Sequence, residues 1–276
     1  MNYRAIVDES INKIKDSQVD MLGASHSDGE YKYLKGQTDA YVRTVQDIDK
    51  IYNDDRTNVT ILEIGSFYGA VSVSLKTIGY NISALDIPEY YNSQSVRDLY
   101  EKCSIPFAGV NLRSYQLPYE SNSFDMVVIC EVIEHLNFNP LPVLKEINRI
   151  LKKGGLLYIG MPNQAHITKR VKLAIGKSIH SGIDDFFAQL DRNDNMIVGL
   201  HWREYTLTET IQMIEKMGFD AISQYYYEGG DIRSISFKNL VRKMLYAVPS
   251  FRPYQVVVGK KVFTPDHDFW LTEANS

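Results

Sequence analysis

Two glutamates and a histidine stand close together in the stretch CEVIEHL, residues 130–136. If a helix begins near Glu131, then Glu131, Glu134 and His135 occupy positions i, i+3 and i+4 on one helix face. Neighbouring carboxylates repel each other unless a positive group lies between them. No Lys or Arg occurs between Glu131 and Leu144, so this charge must come from a cationic ligand, a distant side chain or a metal ion. In the structural alternative, the glutamates only favour the helix amino terminus and His135 is a partly buried polar cap.

A glycine turn in ILEIGSFYGAVSVSL, residues 61–75, could also bind a ligand. The pattern predicts a strand, a turn and a helix, with Glu63 before the turn and Gly65 and Gly69 within it. The dinucleotide fingerprint Gly-x-Gly-x-x-Gly needs a glycine where Phe67 stands, because the backbone there approaches a pyrophosphate. The carboxylate of Glu63 would repel a pyrophosphate but suits an ammonium or sulfonium group. The turn therefore favours S-adenosylmethionine over NAD.

A second acid lies at the end of the next predicted strand, ISALDI, where Asp86 follows Gly65 by 21 residues. A carboxylate at this place can accept hydrogen bonds from both hydroxyl groups of a ribose. Glu63 and Asp86 would therefore bracket one nucleoside, one at its amino acid end and the other at its sugar.

Strand-like and helix-like segments alternate from residue 59 onward, which is typical of a doubly wound α/β sheet. We predict strands at 59–64, 81–86, 105–112, 124–130, 154–162, 219–228 and 253–263. Helices are predicted at 1–20, 36–51, 68–78, 94–102, 142–151, 207–217 and 237–246. After Pro162 the alternation stops for roughly forty residues, which is too long for an ordinary loop and indicates a functional insertion.

Composition excludes several classes of protein. The 276 residues are 44% hydrophobic, which suffices for one sizeable core. The net charge of -4 and the pI near 5.9 do not favour nucleic acid as a partner.

The first residues contain no apolar signal-peptide core and no later run approaches a membrane span, so we expect a cytoplasmic protein without a transmembrane segment. Cys103 and Cys130 lack metal or redox spacing and are predicted to be reduced thiols.

Taken in order, these stretches resemble the class I S-adenosylmethionine-dependent methyltransferases. LEIGSFYGAVS looks like the first motif of the family and LDIP like its ribose-binding acid. LPYESNSFDMVVICEVIEHL and LKEINRILKKGGLLYIGMPN look like its fourth and fifth strands. The resemblance implies a Rossmann-like seven-stranded sheet, mostly parallel with a reversed last strand. The sequence departs from the family at Phe67, which replaces the middle glycine, and at Arg113-Ser114, where many relatives have an acid that binds the adenine amino group.

The resemblance also implies a domain organisation and a cofactor site. Residues 1–58 would form an N-terminal helical cover, 59–263 the methyltransferase domain, and 264–276 a C-terminal tail. The insertion at 163–200 would be a substrate lid. The residues expected to bind S-adenosylmethionine are Glu63, Gly65, Ser66, Phe67, Gly69, Asp86, Ile87, Ser114 and Cys130.

The expected catalytic residues are His135, His201 and Glu131. The segment HWREYTLTE, residues 201–209, follows the insertion and opens a helix with a capping box formed by Thr206 and Glu209. A neutral imidazole can take the proton of an acceptor hydroxyl near pH 7, whereas an amine acceptor needs no base. The stretch MPN…HWREYT is similar to methyltransferases that modify sugars and other bacterial metabolites. This similarity favours O-methylation of a hydroxylated small molecule or glycan precursor.

Two other functions remain open. Glu131, Glu134, His135 and His201 are similar to residues of the small-RNA 2′-O-methyltransferases that bind a divalent ion, which implies a Mg²⁺ or Mn²⁺ site. The acidic pI and the lack of a separate RNA-binding module count against RNA as the acceptor. The third candidate is a non-catalytic protein that binds S-adenosylmethionine, because binding and turnover need different residues.

Basic residues are concentrated in two segments without acids, ITKRVKLAIGKSIH in the insertion and the stretch from Ile232 to Pro265. Such segments suit an anionic or carrier-linked substrate, or peripheral contact with a membrane surface. The alternative is a solvated face that is balanced by acids elsewhere in the chain.

Overall fold

The computed structural model describes residues 1–19, 27–52, 55–191, 200–229 and 237–266. The strands are β1 (Thr60–Ile64), β2 (Asn81–Asp86), β3 (Phe107–Gly109), β4 (Phe124–Cys130), β5 (Leu151–Pro162), β6 (Phe219–Tyr227) and β7 (Tyr254–Lys261). The helices are α1 (Tyr3–Asp16), α2 (Ser27–Gly36), α3 (Thr38–Tyr52), α4 (Ala70–Thr77), α5 (Pro88–Asn92), α6 (Gln94–Lys102), α7 (Leu141–Ile150), α8 (Ile167–Ala174), α9 (Ile183–Asp191), α10 (Leu207–Lys216) and α11 (Phe237–Tyr246).

The strands form a single seven-stranded sheet in the order β3-β2-β1-β4-β5-β7-β6. β1 pairs in parallel with β2 and β4, and β4 pairs in parallel with β5. β7 runs antiparallel to both β5 and β6. The prediction of a mostly parallel seven-stranded sheet with a reversed last strand is confirmed. β4 lies at the centre and is buried on both faces, which explains its continuous apolar run.

The third strand is shorter than the sequence predicted. Residues 105–112 were expected to be extended, but β3 covers only Phe107–Gly109. It is the edge strand and pairs with β2 alone, so few ladder hydrogen bonds hold it. Pro106 has no N–H to add to the ladder, and a 3-10 turn follows at Leu112–Ser114.

The expectation that a helix begins near Glu131 was wrong. The backbone N–H of Glu131 donates to the carbonyl of Gly160 at 2.8 Å, continuing the contact between β4 and β5. Glu131 then adopts a left-handed φ of 55°, and only a 3-10 turn forms at Ile133–His135. A helix cannot pass through a left-handed residue, and the next one begins at Leu141. The two glutamates therefore do not share a helix face.

The N-terminal helices are attached to the sheet by a buried acid. α1 packs against α3 and α4. Asp49 on α3 accepts hydrogen bonds from the hydroxyls of Tyr3 and Tyr80 at 2.8 and 3.1 Å. The guanidinium of Arg56 binds both of its oxygens, at 2.6 and 2.9 Å. Residue 20 of the predicted first helix lies outside the described residues.

Both ends of the insertion are attached at one place. Asn163, directly after β5, pairs with Tyr205 in an isolated bridge. Its side-chain amide donates to the carbonyls of Ser250 and Arg252 at 3.0 and 2.8 Å, and its backbone N–H donates to Pro253 at 2.7 Å. α8 and α9 lie between these attachment points. Residues 192–199 of the insertion and 267–276 of the predicted tail lie outside the described residues. Within the described part of the chain, no helix combines the length and apolar character needed to cross a membrane.

Candidate active site

The turn after β1 requires glycine at its first position. Gly65 has a φ of +75°, and its N–H donates to the carbonyl of Leu85 at 2.8 Å. A Cβ atom added at Gly65 would lie 2.1 Å from Cγ2 of Val132, inside the van der Waals contact distance. Gly69 has a φ of +83°, and an added Cβ would lie 3.0 Å from the hydroxyl oxygen of Tyr100. The tight turn therefore brings the start of α4 against β2 and the end of β4.

Phe67 fits the turn although relatives have glycine there. It has a left-handed φ of 50°, and its N–H donates to Oδ2 of Asp86 at 2.6 Å. Its ring stacks on Tyr68 with a centroid distance of 4.0 Å and meets the edges of Tyr90 and Tyr33 at 5.3 and 5.8 Å. Tyr33 is on α2, so the N-terminal helices reach the turn through this aromatic cluster. The sequence analysis did not predict this contact.

Asp86 ends β2 directly beside the turn. Its two oxygens accept the N–H groups of Phe67 and Ile87, at 2.6 and 2.7 Å. Burial raises the pKa of Asp86 to about 6 in spite of these hydrogen bonds. Each carboxylate oxygen keeps a further lone pair that a ribose hydroxyl could use.

Glu63 is buried next to Asp86 on the neighbouring strand β1. It accepts a hydrogen bond from the hydroxyl of Ser72 on α4. Burial raises the pKa of Glu63 to about 8. A cationic ligand at this place would favour the ionised carboxylate again.

The remaining predicted cofactor residues differ in their environments. The hydroxyl of Tyr100 donates to Oγ of Ser66 at 2.8 Å, which fixes the buried Ser66 in the turn. Cys130 ends β4, lies 4.0 Å from Oγ1 of Thr44, and has a pKa raised by burial. Ser114 is exposed and bonds within its own turn, to the carbonyl of Gln116. Contact of these three residues with a cofactor stays a prediction.

Two buried carboxylates lie at the carboxyl end of β4. Oε1 of Glu131 and both carboxylate oxygens of Glu134 have no hydrogen-bond partner among the described residues. Burial, and after it the charge of Glu131, raise the pKa of Glu134 well above its usual value. Burial followed by the charge of Glu131 also raises the pKa of Tyr227 and Tyr254, from β6 and β7. The charge of Glu131 thus acts on two phenol groups, and three oxygens of the two acids have no hydrogen-bond partner among the described residues.

Two histidines complete this site. The rings of His135 and His201 meet edge to face with centroids 4.8 Å apart. Nδ1 of His135 lies 2.9 Å from the carbonyl oxygen of Leu200, and its Nε2 lies 4.0 Å from Oε1 of Glu134. Burial lowers the pKa of His135, and lowers that of His201 to about 4. Both imidazoles are therefore neutral at pH 7.

The segment after the insertion holds the second histidine in place. The N–H groups of Trp202 and Arg203 donate to the carbonyl of Glu134, at 2.8 and 3.3 Å. The predicted capping box of Thr206 and Glu209 is present and starts α10.

An ion pair that could not be predicted from the sequence orients His201. Nδ1 of His201 lies 2.8 Å from Oε1 of Glu204, whose Oε2 pairs with Nζ of Lys169 on α8. Burial lowers the pKa of Lys169 to about 8. A small cleft beside this pair is lined by Gln164, Lys169, Ile179, His180, His201 and Glu204. The only signal in the sequence was the i, i+3 spacing of His201 and Glu204.

Three side chains of this site could hold a divalent metal ion. Among the described residues, ligand atoms of Glu134, His135 and His201 lie within 4.8 Å of one another, and Glu131 lies outside this group. The Nδ1 atoms of both histidines face an oxygen acceptor, which leaves Nε2 as the ligand atom. One carboxylate and two imidazoles suit Mn²⁺ better than Mg²⁺, which prefers oxygen ligands.

Comparisons with known proteins identify a methyltransferase domain. Residues 62–159 match the family model described as a methyltransferase domain. Probable methyltransferase PMT4 of Arabidopsis thaliana is 32% identical over 103 residues, which are 37% of this chain and 17% of that protein. The ubiquinone biosynthesis O-methyltransferase of Xanthomonas oryzae pv. oryzae is 24% identical over 111 residues, which are 40% of this chain and 46% of that protein. The matched segments thus span less than half of either relative.

Solved structures share the fold over most of the chain. A methyltransferase of Thermotoga maritima described as a possible histamine N-methyltransferase has a TM-score of 0.54 at 17% identity, covering 86% of this chain and 97% of that one. A methyltransferase of Archaeoglobus fulgidus has a TM-score of 0.53 at 14% identity, covering 79% and 94%. At such identities the likeness establishes the fold, and the matched family model adds its motifs. Residues 62–159 are therefore a methyltransferase domain, in a chain that has the fold of S-adenosylmethionine-dependent methyltransferases.

Proposed function

We propose that the protein transfers the methyl group of S-adenosylmethionine to a hydroxyl group of a small molecule or glycan precursor. The observation that carries this proposal is the neutral His201, held by Glu204 at 2.8 Å and next to Glu134 and His135. This cluster follows β4, the strand beside the one that carries Glu63. The name of the Xanthomonas oryzae relative, an O-methyltransferase, also favours an oxygen acceptor.

The reaction is a direct displacement. A lone pair of the acceptor oxygen attacks the methyl carbon from the side opposite sulfur, and the bond between carbon and sulfur breaks. Its electron pair stays on sulfur, so that the positive sulfonium becomes the neutral thioether of S-adenosylhomocysteine. Nε2 of His201 takes the hydroxyl proton, and the carboxylate of Glu204 stabilises the resulting imidazolium. Alignment of donor and acceptor by the turn and the acidic cluster supplies much of the remaining acceleration.

The turn and its acids bind the donor. Glu63 and Asp86 lie on adjacent strands, one suited to the cationic amino acid part and the other to the ribose. Binding of a cation beside Glu63 restores its negative charge, which burial otherwise disfavours. The expected roles of Ser66, Ile87, Ser114 and Cys130 in this site belong to the same proposal.

A second candidate is a metal-dependent form of the same transfer, favoured by the group of Glu134, His135 and His201. These residues would hold the ion, and the bound ion would act as a Lewis acid toward the acceptor oxygen. Metal dependence would also agree with the 2′-hydroxyl of an RNA end as acceptor, although the net charge of -4 counts against RNA.

Methyl transfer from labelled S-adenosylmethionine tests these functions. Catechol, a hexose, histamine and a short RNA duplex serve as acceptors, each with EDTA or with added Mn²⁺. The proposal expects label in catechol or the hexose and a loss of about 10²–10⁴-fold in His201→Ala. Label in histamine alone would overturn the oxygen acceptor, and Mn²⁺-dependent label in RNA would support the second candidate. Binding of the donor without transfer to any acceptor would point to the non-catalytic alternative.

A further inference from the structure

The helix α8 has an unusual environment, because none of its residues is buried. Val171, Leu173 and Ile175 at its carboxyl end are 51, 58 and 62% exposed. A helix of eight residues is not stable by itself in water, and helices of this size are normally held by burial of an apolar side. Within the part of the chain that the structure describes, the apolar residues of α8 are therefore not covered by the burial that usually stabilises a short helix.

A second apolar surface lies on α11. Leu240 and Met244 lie one turn apart on this helix and Val248 lies two residues after its end, and they are 57, 70 and 45% exposed. The other side of the helix faces the protein, with Asn239 and Tyr246 buried. Leu240 and Met244 thus form an exposed apolar pair on the outer side of α11, and Val248 adds a third exposed apolar side chain just beyond the helix.

The two helices are neighbours across the 3-10 turn Pro249–Phe251, which contacts both. The guanidinium of Arg170 on α8 lies 5.1 Å from the ring centre of Phe251. We use the name basic apolar face for the exposed side chains of this region, which are Val171, Lys172, Leu173, Ile175, Lys177, Leu240, Lys243, Met244 and Val248.

The charge of this face has one sign. No acidic residue occurs in 163–183 or in 237–265. Lys172, Lys177 and Lys243 form no ion pair within the described ranges, whereas Lys169 and Arg252, on the inner side, pair with Glu204 and Glu228. The positive charges that surround the exposed apolar side chains are therefore available to an anionic partner.

We propose that the basic apolar face docks on a membrane surface that contains anionic phospholipids. Exposed aliphatic side chains can enter the boundary between headgroups and acyl chains while neighbouring lysines contact lipid phosphates. A single-stranded nucleic acid would instead need exposed aromatic rings for base stacking, and the apolar members of the face are aliphatic or Met. This inference concerns binding and holds whatever acceptor the active site uses.

The placement of α8 links this face to the active site. Val171 and Lys172 point outward, while Lys169 on the same helix reaches Glu204, which holds His201. The basic apolar face and the Glu204–His201 pair are therefore connected through the same helix.

Co-sedimentation of the full chain with vesicles tests the proposal. Vesicles of phosphatidylcholine alone are compared with vesicles that contain equal parts of phosphatidylcholine and phosphatidylglycerol. One variant combines Leu173→Ser, Ile175→Ser, Leu240→Ser and Met244→Ser, and another combines Lys172→Gln, Lys177→Gln and Lys243→Gln. The matched control is Ile51→Ser with Lys50→Gln, at the end of α3, where the hydroxyl of Tyr52 donates to the carbonyl of Asp125 at the amino end of β4. Circular dichroism checks that each variant is folded.

The expected result is binding to the anionic vesicles, weakened by salt and by about fivefold for each lysine removed. The serine variant should lose binding and the control should keep it. No binding of the wild-type chain to anionic vesicles, or equal binding by all variants, would overturn the proposal. A dimer in solution would also overturn the proposal if light scattering shows that the serine variant is a monomer and neither protein binds vesicles. A second copy of the chain would then cover the face.

Discussion

Nδ1 of His201 lies 2.8 Å from Oε1 of Glu204, and the second oxygen of Glu204 pairs with Lys169 across the insertion. The carboxylate thus fixes both the orientation of the imidazole and the position of α8. This pair connects the proposed chemistry to the segment that differs most from an ordinary α/β loop.

The charge of Glu204 should matter for turnover more than for donor binding. Glu204→Gln keeps a hydrogen-bond acceptor but removes the charge that stabilises an imidazolium. We expect kcat to fall by about 10–100-fold with little change in the Kd of S-adenosylmethionine. Steady-state kinetics and calorimetry measure the two quantities. Glu215→Gln on the exposed side of α10 is the control, and an equal loss in both variants would contradict a specific role of Glu204.

Gly65 should tolerate no side chain. The Cβ of Gly65→Ala would lie 2.1 Å from Cγ2 of Val132, and the residue would have to keep a φ of +75°. The left-handed conformation alone costs about 1–2 kcal/mol, and the clash adds to this cost. Urea unfolding should show that adding Val132→Ala recovers part of the loss. Gly36→Ala, where an added Cβ has nothing within 4 Å, should change the unfolding free energy by less than about 1 kcal/mol.

Two replacements of Phe67 separate backbone strain from ring packing. Phe67→Ala and Phe67→Gly both lose the aromatic contacts with Tyr68, Tyr90 and Tyr33. Only glycine also relieves the left-handed φ of 50°, so the glycine variant should be more stable by about 1 kcal/mol. Urea unfolding of the two proteins gives this difference directly. A more stable alanine variant would show that the left-handed backbone carries no strain here.

The buried acid Glu63 should make the free protein less stable as the pH rises from 6.5 to 8. Burial raises the pKa of Glu63 to about 8, so the folded state holds a proton that the unfolded state has lost. The stabilisation of the folded state by this proton is complete below the pKa of the unfolded glutamate. It is lost as the pH rises through the pKa of Glu63 in the folded state. The buried histidines change the unfolding free energy mainly below this pH range, because burial lowers their pKa.

Urea unfolding across this pH range should give a smaller slope for Glu63→Gln than for the wild type. The same variant should bind S-adenosylmethionine at least about tenfold more weakly, because it lacks the charge that faces the cationic part of the donor. Identical slopes in the two proteins would assign the pH dependence to other buried acids.

The sequence predicted those parts of the site that depend on local spacing. Gly65, Gly69 and Asp86 follow from the strand ends and from the turn between them. The mostly parallel seven-stranded sheet with a reversed last strand follows from the alternation of elements and the family resemblance. The reversal at Glu131 did not follow, because the left-handed residue there is held by a hydrogen bond to Gly160 on a different strand. Local helix propensity gives no information about such a contact.

The contacts across the insertion could not be predicted from the sequence either. Lys169 and Glu204 are 35 residues apart, and their pairing depends on where α8 returns to the sheet. Tyr33 meets Phe67 only because α2 packs over the turn. In both cases periodicity identified the helices but gave no indication of which side chains they bring together.

The attachment of both insertion ends at Asn163 has an evolutionary consequence. Because Asn163 and Tyr205 fix the two ends side by side, a change in the length of the chain between them alters the closure entropy by only about 0.6 kcal/mol per doubling. The sheet and the donor site could keep their structure while this segment is lengthened, shortened or replaced. The acceptor site and the α8 part of the basic apolar face could therefore change together in one exchangeable segment, while the site for the methyl donor stays the same.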